Sequence, residues 1–90
     1  MSVTVARVEL HRQNDPRNER RILEVIQTGW SYQMWEKVRF GDTRRDWRDA
    51  QTKSGTAEHM RRALKDEMER LCTEEEFVLV HNYAESFLDG

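Results

Sequence analysis

Four side chains could ligate a soft metal or act as a nucleophile or base: His11, His59, His81 and Cys72. Zinc sites usually take such ligands in close pairs, a few positions apart. No two of these four are spaced that way, so a metal centre would need all four to converge from separate elements. Cys72 would need a base and a positive environment to act as a nucleophile. His81 is the one plausible base, and Glu74–Glu76 make the surroundings negative. Cys72 therefore reads as a small buried residue at the end of a helical stripe.

Carboxylates recur at Asp46 and Asp49, and at Asp66, Glu67 and Glu69. General acid–base chemistry needs a carboxylate in a desolvated pocket. These instead lie among Arg and Lys three and four positions away, the pattern of a solvated, ion-paired face. Gly29, Gly41, Gly55 and Gly90 are isolated, so there is no phosphate-binding loop. The sequence thus assigns no catalytic residue, metal ligand or cofactor.

A second group of residues suits recognition. Trp35, Lys37 and Arg39 alternate along the polar face of one segment, and Arg44, Arg45, Trp47 and Arg48 follow. A Trp beside Arg combines a large apolar anchor with directional charge, as interface hot spots do. The same set could stack a base and neutralise phosphates.

The element that must position Trp35 is an alternating run from Trp30 to Phe40. Trp30, Tyr32, Met34, Val38 and Phe40 fall on one face, broken by Glu36. Ser31, Gln33, Trp35, Lys37 and Arg39 fall on the other. This is a strand with one buried and one wetted face. Ser2–Leu10 also reads as a strand, with apolar residues on both faces, which suggests a central position or a bulge near Ala6. Asp15-Pro16 reads as a helix start, with Ile22, Leu23, Val25 and Ile26 as the stripe and Gly29 as the stop. Residues 44–51 fit either a strand or a helical turn, and residues 52–55 a loop. Thr56 caps a helix running to Cys72, striped by Met60, Ala63, Leu64, Met68, Leu71 and Cys72. Phe77–Tyr83 reads as a second interior strand.

These elements predict an α+β fold: a small antiparallel or mixed sheet of three to four strands with two helices packed on one face. A ferredoxin-like βαββαβ order fits if residues 44–51 form a strand. Residues 1–83 form a single domain, and residues 84–90 a short acidic C-terminal tail.

Ninety residues suffice for one core. The apolar fraction, 37%, is low and the charged fraction, 36%, is high, but the apolar residues are clustered and periodic, which argues against disorder. The net charge of −2 argues against a general nucleic-acid binder. The lone cysteine, the absence of a signal-peptide pattern and the short apolar runs point to a cytoplasmic protein without a membrane span.

The first functional expectation is a small non-catalytic protein that binds and regulates or inhibits a protein or nucleoprotein partner. Phage-type anti-defence proteins, including anti-CRISPR inhibitors, have this size and composition. The alternatives are a nucleic-acid-binding regulator using Arg44–Arg48 and Trp47, and a small dimeric ferredoxin-like enzyme with His81, Tyr83, Tyr32 and His59 in a pocket. If the long strand lies at a sheet edge, it also invites a homodimer.

Overall fold

The computed structural model describes residues 1–41 and 48–90, with only the backbone for Arg48. Among the described residues five strands and two helices follow in chain order. They are β1 (Ser2–Arg12), β2 (Glu19–Thr28), β3 (Ser31–Phe40), β4 (Arg48–Gly55), α1 (Ala57–Glu74), β5 (Phe77–Tyr83) and the single turn α2 (Glu85–Leu88). The strands form one sheet of order β4-β3-β2-β1-β5, and every neighbouring pair is antiparallel.

This corrects the expected architecture. The sheet has five strands rather than three or four. One long helix covers it, and the βαββαβ order does not occur. The difference begins at Asp15. Its carboxylate does cap free amides, accepting from the N–H of Arg17 (3.1 Å) and of Glu19 (3.0 Å). The element it caps is a turn, not a helix. Slight desolvation pushes the Asp15 carboxyl up, but those two amides, with the charges of Arg17 and Arg12, hold it below its usual range.

The residues of the expected helix form β2. Ile22, Leu23, Val25 and Ile26 mimic a helical stripe because β2 is central and apolar on both faces. Leu23 and Val25 point to the helix side, whereas Ile22 is buried on the opposite face. Residues 52–55, expected as a loop, belong to β4. Phe77–Tyr83 is a strand as expected, but it occupies an edge. The long strand is interior, between β2 and β4, so it offers no free edge.

Other expectations hold. α1 starts at a Thr56 cap, whose hydroxyl accepts from the His59 N–H at 3.1 Å. β1 is central, with a register shift between Thr4 and Ala6. Residues 84–90 depart from expectation: in place of an acidic tail they carry α2, and Ala84 and Phe87 are buried in the core.

The core lies between one sheet face and the helices. Ala6, Val8, Leu10, Leu23, Val25 and Met34 from the sheet meet Met60, Leu64 and Leu71 of α1, with Phe77 and Phe87 at the flanks. A helix about 10 Å across cannot roof five strands spanning about 24 Å. α2 and a set of ion pairs cover part of the rest. Glu19, only 3% exposed, accepts from Arg12 (3.0 Å) and Arg21 (2.9 Å). Arg21 reaches on to Glu36 (2.6 Å), and Arg12 donates to the Glu75 carbonyl (3.0 Å) at the end of α1. The Arg12 guanidinium also lies 4.5 Å from the centre of the Phe77 ring.

Removing one partner from a buried ion network leaves the others uncompensated. Glu19→Ala is therefore expected to lower stability by about 3 kcal/mol in urea denaturation. The opposite sign is expected at Glu76, which follows the α1 cap with φ 59°, a left-handed conformation that favours glycine. Glu76→Gly should raise stability by about 1 kcal/mol in the same assay.

Candidate interaction surface

Both helices lie on one side of the sheet, and the other side is open among the described residues. Strand alternation and register place Arg7, Glu9 and His11 of β1 there, with Arg20, Ile22, Glu24 and Ile26 of β2 and Gln33, Trp35, Lys37 and Arg39 of β3. Trp35, Lys37 and Arg39 thus share one face, as their spacing predicts. All three are half-buried. Arg44, Arg45 and Trp47 lie outside the described residues. Arg48 opens β4, with its backbone opposite Val38.

The open face divides into two zones. The charged zone centres on Glu24, which is 8% exposed. Its Oε1 is 3.4 Å from Arg7 and 3.2 Å from Lys37, so cations from both neighbouring strands clasp one carboxylate. His11 lies 3.5 Å from Glu9 in the same zone.

The second zone is neutral. A shallow groove of about 560 Å³ is lined by Trp35 and Ile26 together with Ser2, Thr28, Ser31, Gln33, Gln51 and Ser54. Its polar groups are already ordered by one another. Ser2 and Thr28 hydroxyls are 3.0 Å apart, Thr28 donates to Gln33 (3.2 Å), and Gln33 donates to Ser31 (3.0 Å). This row fixes the groove wall across three strands.

The residue that sequence reasoning misplaced is Trp30. Its spacing places it on the buried face of the long strand. It sits instead in the two-residue turn between β2 and β3, 99% exposed. Gly29 precedes it with φ 62°, which suits the mirror-image turns that join antiparallel strands tightly. The signal was present: Gly-Trp between two apolar alternating runs is a hairpin turn once residues 19–28 are read as a strand.

The four candidate pocket residues do not converge. Tyr32 faces the helix side, its ring 6.1 Å from Phe87. His59 is exposed in the first turn of α1, and His81 and Tyr83 are exposed on β5. His59 and Tyr83 line separate surface grooves. Cys72, expected to be buried at the end of the α1 stripe, is instead an exposed free thiol. Among the described residues no three His, Cys, Asp or Glu side chains cluster closely enough to hold a metal ion. No described helix is long and apolar enough to cross a membrane.

No protein family, curated protein or solved structure matches this chain.

Glu24 sets the electrostatics of the open face. Glu24→Gln keeps its shape but removes the charge that Arg7 and Lys37 neutralise. Stability should fall by about 2 kcal/mol, the scale of a hydrogen bond to a charged group. Retention on heparin at low salt should rise in parallel, because two cations lose their counter-charge.

Proposed function

We propose that this chain is a non-catalytic interaction protein that regulates or inhibits a larger macromolecular partner, which it docks through the open sheet face and the β2–β3 turn. The observation that carries the reading is Trp30. A Trp side chain offers about 150–250 Å² of surface. At about 25 cal/mol per Å², burying it on a partner contributes about 4–6 kcal/mol before the costs of association. A tight turn presents it at little cost in flexibility. Trp35 supplies a second aromatic surface, lining the neutral groove on the face itself.

The partner this surface fits has an apolar pocket for an indole, bordered by neutral polar groups. A protein or nucleoprotein assembly meets that description. A phage-type, anti-CRISPR-like inhibitor is the specific form that the chain's size and composition suit.

The nucleic-acid reading draws on Arg44–Arg48 and Trp47. On the described part of the face it has less support, because Arg7 and Lys37 both neutralise Glu24. Phosphate binding would have to displace those pairs.

The test compares tagged wild type, Trp30→Ala and Trp35→Ala. Partners recovered from lysate are quantified by mass spectrometry, and affinity is then measured with the purified partner. Trp30→Ala should bind about 30-fold more weakly, corresponding to a hot-spot loss of about 2 kcal/mol. Its thermal unfolding should match wild type. Binding unchanged in both variants would overturn the reading. Salt-sensitive binding to oligonucleotides alone would favour the nucleic-acid alternative.

A further inference from the structure

The two edges of the sheet are built differently. β4, at one edge, carries Asp49 and Lys53 among hydroxyl and amide side chains. Charge on an edge strand discourages pairing with another strand. β5, at the other edge, has the sequence Phe-Val-Leu-Val-His-Asn-Tyr, with neither Lys, Arg, Asp, Glu nor Pro. Phe77 is buried, whereas Val78, Leu79 and Val80 are 38%, 38% and 51% exposed. One side of β5 pairs with β1, and the other is the end of the sheet. An edge of this kind presents unpaired backbone N–H and C=O groups beside apolar side chains. Its one irregularity is a bulge, where the register with β1 skips Val80. A bulge bends the strand locally and swings a side chain outward but adds no repulsive charge.

We propose that β5 pairs antiparallel with β5 of a second copy, joining two five-stranded sheets into one of ten. A second copy suits the strand because an uncharged segment sets no like charges opposite one another when it meets itself. It also returns the same apolar residues, so Val78, Leu79 and Val80 of each copy cover those of the other. The antiparallel sense follows from charge. α1 delivers Glu74, Glu75 and Glu76 to the start of β5. Parallel pairing would set both acidic segments side by side. Antiparallel pairing holds them about 20 Å apart, the length of a seven-residue strand. One strand pair buries less surface than a stable complex needs, so the dimer forms reversibly in the micromolar range. This contact is separate from the Trp30 surface, and the two readings stand or fall independently.

The test is sedimentation equilibrium from micromolar to near-millimolar protein. The apparent mass should rise from the 10.8 kDa of one chain toward twice that value. Val80→Lys and Val78→Lys should each remain monomeric across the range, with wild-type circular dichroism. Thr52→Lys on the β4 edge should dimerise as wild type does. As a readout independent of any variant, amide exchange in wild-type β5 should slow with concentration while that of β4 does not. A wild type that stays monomeric at near-millimolar concentration overturns the proposal. So does a dimer that persists in both β5 variants, or β5 exchange that is independent of concentration.

Discussion

A buried carboxylate on the central strand organises this fold. Glu19 begins β2 almost out of contact with water. An ion so placed costs several kcal/mol unless it is paired. Arg12 and Arg21 supply the pairing, and each is committed elsewhere as well. Arg12 holds the carbonyl at the end of α1 and stacks on Phe77, while Arg21 reaches Glu36 on β3. The backbone N–H of Glu19 is itself held by Asp15 in the preceding turn. One carboxylate thereby fixes the β1–β2 connection, the register of β2 on β3 and the point where α1 hands over to β5.

β2 carries a second nearly buried carboxylate on its opposite face. Glu24 is clasped by Arg7 and Lys37 as Glu19 is by Arg12 and Arg21. Each face of the central strand is thus fastened to its neighbours by charge as well as by apolar packing. A chain this rich in charge can therefore close a core with few apolar residues. The same arrangement shapes the open face: the cations near Glu24 serve the fold, and the neutral Trp35 groove and the Trp30 turn remain for a partner.

Much of the local structure was legible in the sequence. The Thr56 cap and the apolar spacing along α1 specify that helix without reference to the sheet. The alternation through Trp35, Lys37 and Arg39 places these residues together on one face. Asp15 is a capping residue in sequence and structure alike. What misled was the run Ile22-Leu23-Val25-Ile26, whose spacing satisfies a helix and a two-faced strand equally well. That single ambiguity hid two strand pairings, moved Trp30 from a turn into a core, and suggested a second long helix.

Composition and spacing alone determined a small α+β chain, a firm helix from the Thr56 cap to Cys72 and a strand carrying an aromatic and basic face. Local propensity and side-chain period decide such features, because they depend on residues a few positions apart. Tertiary structure decided that β2 is a strand, that the long strand is interior, that β5 is an edge and that Trp30 stands in water. Each of these depends on which segment lies beside which, and backbone pairing between residues distant in sequence leaves no period to read. The histidines and the cysteine stay dispersed for the same reason: nothing in the sheet order brings His59, His81 and Cys72 to one place.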